Sequence, residues 1–481
     1  MQQLSLPSEF VAEMSHMLGH SFPLFEKAMD NPPATAIRLN TRKPSHSLPA
    51  PPLRTVDWCQ SGIYLTYRPV FTLDPLLHAG AYYVQDPSSM IYQQATGLIL
   101  QRPDMVLRMT HNEPLRVLDL CAAPGGKTTA MINALPDGAV VVANEIDRQR
   151  CTALRENLEK WGYPDIVVCN SDADTIGQHT GLFDIIAVDA PCSGEGMMRK
   201  EPEAINQWSR QLTERCAETQ RSILNKIIPA LRPGGYLIYS TCTFNRSENE
   251  CITHWLAEQH GLQPVDLPFE GTDRVLPGID TSMPALRFMP HATDGEGLFV
   301  CVMRAPGNGM PASLPSLKPQ SGKKTQQRQP RKKKNQTPDN PTQWIMPDKG
   351  YTLSRRGDTV VALTETTARM AAELEHTARV VMAGSAVAET KGDMILPSGK
   401  LPFSLAFRKD AFPSVEVDKA TALCYLRRDT VTLPDHTPVG YVTLTYENTP
   451  LGLLKNIGTR SNNLFPSAWR IRTRDNNQII N

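Results

Sequence analysis

Between about residues 107 and 306 the chain repeats one pattern, a short apolar run followed by a longer segment of helical periodicity. The apolar runs lie at 116–120, 139–143, 166–169, 183–188 and 235–240. Their brevity and their lack of polar alternation suit parallel strands covered on both faces. Between them, 127–135, 147–161 and 210–231 space their apolar residues as helices do. Repeated strand-then-helix order predicts an α/β fold with a doubly wound, mostly parallel sheet. A later run at 298–303 has no helix of its own and is expected to pair antiparallel at the sheet edge. Ser247, Glu248, Asn249 and Glu250 have capping-box spacing, so Asn245 or Ser247 is expected to cap the next helix.

At 481 residues the chain has room for about three domains. A unit of roughly 200 residues buries a core without disulfide staples. Residues 1–106 read as a small α/β attachment domain. It has helical sequence at 4–19, a stretch with Pro44, Pro49, Pro51 and Pro52, and β-like runs at 62–65 and 81–84. Residues 107–306 are the regular α/β unit. Residues 307–343 read as a basic, flexible linker: Lys323, Lys324, Arg328, Arg331, Lys332, Lys333 and Lys334 fall within 323–334 with no acid among them. Such composition cannot bury enough apolar surface to fold alone. Residues 344–396 read as an intermediate α/β stretch. Residues 397–481 carry short β-like runs at 422–426, 439–445 and 468–471, punctuated by Gly440, Gly452 and Gly458. That predicts a small β-barrel of the nucleic-acid-binding kind.

Lys plus Arg is 50 and Asp plus Glu is 49, so net charge does not select a partner and local clusters must. Ten cysteines without C-x-x-C pairs or even spacing exclude a disulfide framework and a zinc finger. Reduced thiols fit a cytoplasmic protein. The first ten residues lack the basic start and apolar run of a signal peptide, and no apolar stretch reaches the ~18 residues of a membrane span. His16 and His20 are four apart but lack the intervening Glu and any third ligand, so no metal is expected.

The sharpest local signal runs from Val117 to Thr129. A strand enters a turn made of Cys121, Ala122, Ala123, Pro124, Gly125 and Gly126, and a helix starts at Lys127. Glycines let backbone approach a ligand without a Cβ in the way. The helix N-terminus adds free N–H groups and partial positive charge. A nucleotide-like ligand across this turn is the natural reading. The G-x-G-x-x-G of pyrophosphate binding is absent, which favours a ligand without phosphate, such as S-adenosylmethionine. Glu145 ends the second strand about 20 residues past the turn, where an acid accepts ribose hydroxyls. Asp172 ends the third strand, beside the adenine position, and Asp189 the fourth.

Cys192 follows the fourth strand in Asp189-Ala190-Pro191-Cys192, and Cys242 follows the fifth in Ser240-Thr241-Cys242. Two adjacent strand ends place both thiols on one rim. A thiolate that adds to C6 of a cytosine makes C5 enamine-like and able to accept a methyl group. The attacking sulfur must be ionised, so a positive charge is expected near it. A second group must assist release, and Cys192 is placed for that. Asp189 is placed to hydrogen-bond the N3/N4 edge of the base. The remaining cysteines, among them Cys151, Cys169, Cys216, Cys251, Cys301 and Cys424, read as core residues.

These residues resemble the Nop2/Sun-type RNA cytosine-C5 methyltransferases over nearly the whole chain. Residues 82–90 are similar to that family's entry motif, Cys121 to Lys127 to its cofactor motif, and Asp189 to Cys192 and Thr241-Cys242 to its two cysteine motifs. Glu145, Asp172 and Asp189 match positions that hold cofactor or base. Residues 196–203 are similar to a motif on the RNA side. Residues 440–470, with Pro450-Leu451-Gly452 and Asn463-Leu464-Phe465-Pro466, resemble a PUA-type RNA-binding domain. The resemblance implies a Rossmann-like S-adenosylmethionine methyltransferase domain with Cys242 as nucleophile and Cys192 assisting release. It implies small-subunit (16S) ribosomal RNA as substrate, alone or in the subunit; no isolated apolar face suggests an obligate dimer, so a monomer is expected. A tRNA-modifying relative, a DNA-type enzyme attacking with Cys192, and a non-catalytic assembly factor are the competing readings. Phosphate contacts are expected from the linker cluster and from Arg460, Arg470, Arg472 and Arg474.

Overall fold

The computed structural model describes residues 5–43, 47–111, 113–316 and 340–473. The basic cluster at 323–334 and Arg474 lie outside the described residues. Near the N-terminus, helices Ser8–Leu18 and Phe22–Met29 precede four strands: β1 (Ala36–Leu39), β2 (Pro52–Val56), β3 (Cys59–Leu65) and β4 (Tyr82–Val84). These form an antiparallel sheet in the order β2-β3-β1-β4.

The alternating apolar runs become β5 (Arg116–Asp119), β6 (Val140–Asn144), β7 (Ile166–Cys169), β8 (Phe183–Asp189) and β9 (Leu231–Thr241), all parallel. Their order is β9-β8-β5-β6-β7. The chain starts in the middle at β5, winds out through β6 to β7, then returns to lay β8 on the other side. The crevice at such a reversal, outside the carboxyl ends of the strands, is where doubly wound sheets bind ligands.

Period-two alternation explains the covered sheet. Val117, Val141, Ile185 and Ile238 face one apolar core with Ile91, Ala95, Met131 and Leu154 of the helices on that side. Leu118, Val142, Ile186 and Leu237 face a second core with Leu224, Ile252, Leu256 and Met370. Each strand is therefore buried on both faces, as its unbroken apolar sequence requires.

Three short strands, β10 (Gln263–Pro264), β11 (Leu276–Pro277) and β12 (Ala285–Phe288), precede β13 (Leu298–Arg304). β13 runs antiparallel to β9, from Phe299 opposite Thr241 to Arg304 opposite Tyr236. It is not the edge expected from sequence, because β12 and β10 pair with its other side. Leu298 to Met303 are all buried, so both of its faces needed cover.

Residues 352–397 are divided between two sheets. β14 (Thr352–Arg356), β15 (Thr359–Leu363), β17 (Ser385–Lys391) and β18 (Met394–Pro397) form one antiparallel sheet. Between them, β16 (Val380–Ala383) leaves to pair antiparallel with β7 and completes the central sheet. The last sheet holds β19 (Ser414–Glu416), β20 (Gly440–Tyr446), β21 (Thr449–Asn456) and β22 (Ser461–Asn463). The run expected as a strand at 422–426 is instead inside helix Lys419–Arg427. Asp418 caps that helix by accepting the Thr421 N–H at 2.8 Å. The run at 468–471 is not a strand either; a single 3-10 turn follows Pro466. No helix among the described residues is long and apolar enough to cross a membrane.

Candidate active site

β5 delivers the cofactor-motif turn to the crevice. Gly125 stands at the N-cap of helix Gly126–Ala134 with φ of 109°, a left-handed conformation that a side chain would strain. Tyr83 and Gln85 of the entry segment press against Gly126, where a Cβ would sit 3.3 Å from the Tyr83 ring. Arg38, fully buried on β1, reaches the same turn. Its guanidinium donates to Gly126 O at 3.2 Å, to Thr129 O at 3.1 Å and to Gln85 Oε1 at 2.8 Å. Burial lowers its pKa to about 10.

The next strand ends carry the acids. Glu145 is 2% exposed and accepts the Asp147 N–H on Oε1 at 2.9 Å. Its other oxygen is buried with no hydrogen-bond partner, although Arg150 Nη1 lies 3.4 Å away. An unfilled acceptor of this kind, beside a glycine turn, suits ribose hydroxyls. Asn144 Nδ2 donates to Leu120 O at 3.1 Å and Ser171 O at 2.9 Å, tying three strand ends together. Asp172 is exposed and caps a short helix by accepting the Thr175 N–H at 2.8 Å, a bond that lowers its pKa. Asp119 is raised to about 7, chiefly by burial, with Asp189 adding to the effect and the Thr128 hydroxyl opposing it. Burial also pushes the Cys121 thiol up, aided by Asp119, so that sulfur stays protonated.

On the other side of the reversal, β8 and β9 end in register, Asp189 opposite Ser240. Ser240 Oγ donates to Asp189 Oδ1 at 2.6 Å and lies 2.8 Å from the Tyr92 hydroxyl. Lys127 Nζ donates to Asp189 Oδ2 at 2.7 Å. Burial works against the Lys127 charge, but Asp189 and then Cys242 outweigh it and the amine's pKa is raised. Just beyond, Cys192 Sγ and Cys242 Sγ are 3.3 Å apart, both half-buried. The hydrogen bond between the two sulfurs, reinforced by burial, raises Cys192 well above the ordinary thiol range. Lys127 is the cation whose charge Cys242 supports.

Two buried carboxylates hold the loops that carry these thiols. Glu195 accepts the backbone N–H groups of Phe244 and Asn245 at 2.7 and 2.9 Å, and the Trp208 indole at 2.9 Å. Glu248 reaches back to Ser193. The Gly196 N–H donates to Cys242 O at 2.9 Å. The capping-box expectation for 247–250 is corrected here: the helix begins at Glu250, with Asn249 at the cap. Glu250 is instead drawn to the buried Arg287, and Asn245 Oδ1 accepts the Glu248 N–H at 3.0 Å to close a turn before the helix. The positive charge expected near Cys242 is supplied by the Lys127 side chain.

Sequence comparison places this architecture. Residues 104–304 match the family described as 16S rRNA methyltransferase RsmB/F, 6–87 the N-terminal domain of 16S rRNA methyltransferase RsmF, and 412–471 the methyltransferase RsmF PUA domain. A ribosomal RNA small subunit methyltransferase F from Enterobacter sp. (strain 638) is 31% identical across 96% of this chain and 95% of its own. The chain belongs to the 16S rRNA methyltransferase RsmB/F family. Another RsmF relative, from Erwinia tasmaniensis, is 34% identical over 65% of this chain and 66% of its own. Among solved structures, a methyltransferase homologue from Pyrococcus horikoshii is 25% identical with a TM-score of 0.50, covering 63% of this chain and 96% of that one. NSun6 from Pyrococcus horikoshii with SFG shares the fold, with a TM-score of 0.52 at 20% identity over 63% of this chain and 99% of that one.

The RsmB/F-matching region contains every strand end described above. It brings together Cys121, Glu145, Asp189, Cys192 and Cys242, and places Lys127 toward Asp189. From sequence alone Ser240 and Glu195 have no assigned role, and Glu248 appears only within the 247–250 run. The last two were signalled, since each lies within six residues of a cysteine on a strand-end loop. Tyr92 and Arg38 lie outside that region and carried no signal.

Proposed function

We propose that the chain transfers the methyl group of S-adenosylmethionine to C5 of a cytosine in 16S ribosomal RNA, through a covalent bond from Cys242 Sγ to C6. The observation that carries this is the pair of sulfurs 3.3 Å apart at the ends of β8 and β9, beside an Asp189–Lys127 ion pair. S-adenosylmethionine supplies an electrophilic methyl group when bound. The residues fit it: the Gly125–Gly126 turn admits it, Glu145 offers its unfilled oxygen, and Asp172 lies at the next strand end. Cys121, Ala122, Ala123 and Pro124 shape the wall.

Cys242 attacks as thiolate, and Lys127 favours that ionised form. Asp189, fixed from two sides by Ser240 and Lys127, is placed to accept from the N4 amino group of the base, and the Lys127 ammonium supports the negative charge that thiolate attack puts on the ring. After methylation the Cys242–C6 bond breaks as the C5=C6 double bond re-forms: Cys192 gives its proton to the departing Cys242 sulfur, and the Cys192 sulfur takes the C5 proton in return, so both thiols end protonated. The base must leave its stack to reach thiols at this depth, so the PUA domain and N-terminal sheet are read as the parts that grip RNA shape. We read the protein as a cytoplasmic monomer acting on the small subunit or its precursor.

Methylation with labelled cofactor tests this on purified small subunits and on tRNA. Cys242→Ala is expected to abolish transfer. Cys192→Ala is expected to trap an enzyme–RNA adduct that survives denaturing electrophoresis. Full activity in Cys242→Ala would sink the mechanism, and methylation of tRNA alone would overturn the substrate.

A further inference from the structure

Glu248 is fully buried. Every direction around it is taken by a donor. Oε2 accepts the Ser193 N–H at 3.0 Å and Gln220 Nε2 at 2.7 Å. Oε1 accepts the Ser193 hydroxyl and Asn245 Nδ2, the latter at 2.7 Å. Gln220 also donates to Pro191 O at 3.1 Å. The residues on both sides of Cys192 are therefore anchored, directly or through Gln220, to a carboxylate six positions past Cys242. The Cys242 loop is separately secured by Glu195 at Phe244 and Asn245 and by Arg287 at Phe244 O. Losing Glu248 would therefore release the Cys192 side more than the Cys242 side.

We propose that Glu248 is a positioning residue that holds Cys192 against Cys242 and so sets how fast the covalent adduct is resolved. The inference rests on the covalent reading above. An acceptor-only group is required here, because each oxygen meets two donors. A glutamine would turn its own N–H₂ toward donors already present and push the Ser193 strand-end loop away. Cys242 would still attack, while the sulfur that assists release would be displaced.

Glu248→Gln in the full chain is expected to lower turnover and to raise the fraction of enzyme trapped as RNA adduct about tenfold, in the direction of Cys192→Ala. Ser193→Ala removes one arm of the clamp without leaving a buried acid exposed to new partners. It is expected to raise the trapped fraction by a smaller factor, and it keeps the test open if Glu248→Gln does not fold. A parallel fall of turnover and adduct in both variants, or no change in either, overturns the proposal. Cys192→Ala run alongside separates the two ideas. If it traps adduct while the clamp variants do not, only the role of Glu248 fails. If it traps none, the covalent reading itself fails.

Discussion

A Cβ added to Gly196 would lie 2.8 Å from Cys242 O and 3.1 Å from Glu296 O, both backbone atoms that cannot swing aside. Gly196→Ala is therefore expected to keep the fold and to slow methyl transfer by roughly 10- to 100-fold through displacement of Cys242. Single-turnover rates beside a melting curve check it, and an unchanged rate would mean that the loop tolerates the shift. The residues that sequence made legible are those whose position alone gives them a role. Glu145, Asp189, Cys192 and Cys242 stand where apolar runs stop, and in a parallel sheet those stops share one rim. Lys127 was read with the cofactor motif because it sits there in sequence. Its long side chain instead crosses to Asp189, 62 positions away, a contact that no local pattern encodes. Glu250 has the spacing of a cap acid three residues past Ser247, yet the buried Arg287 takes its carboxylate, while Ser193 and Gln220 take that of Glu248.

At the scale of elements, the parallel core was legible because burial on both faces leaves short, unbroken apolar runs. Lys419–Arg427 was not, since a short run of Ala, Leu, Cys and Tyr fits either a strand or a helix face, and the Asp418 cap decided it. The edge position given to β13 failed for a related reason: its partner β12 is only four residues long. Helix Pro75–His78 supports a prediction about pH. His78 is buried, and burial first, then nearby Lys160, lowers its pKa to about 4. The unfolded chain takes up this proton near 6.5. The stability tied to neutral His78 is thus complete above about pH 6.5 and drains away as pH falls toward 4, by about 3 kcal/mol in all. His78→Gln is expected to flatten the melting temperature between pH 6.5 and 4. A slope equal to that of the unaltered protein would assign the acid sensitivity to other groups.

Across the whole molecule, the parts are not separable modules. Arg38 drives a fully buried guanidinium from the N-terminal sheet into the first turn of the cofactor helix and lies 4.9 Å from the Trp161 ring. Arg38→Met leaves Gly126 O and Thr129 O without that donor. It is expected to cost about 1–3 kcal/mol and to weaken cofactor binding, read by melting and by calorimetry. Unaltered affinity would show that the turn holds its shape alone. On the far side, β16, more than 70 residues past β13, covers β7. A polypeptide terminated after Arg304 would keep both sulfurs and the glycine turn but strip Ile166 to Cys169 of their neighbour. A bare ribbon of β-branched residues is a template for other copies. Such a fragment is expected to aggregate through that edge, read by light scattering, and a monodisperse fragment would show that β7 tolerates exposure.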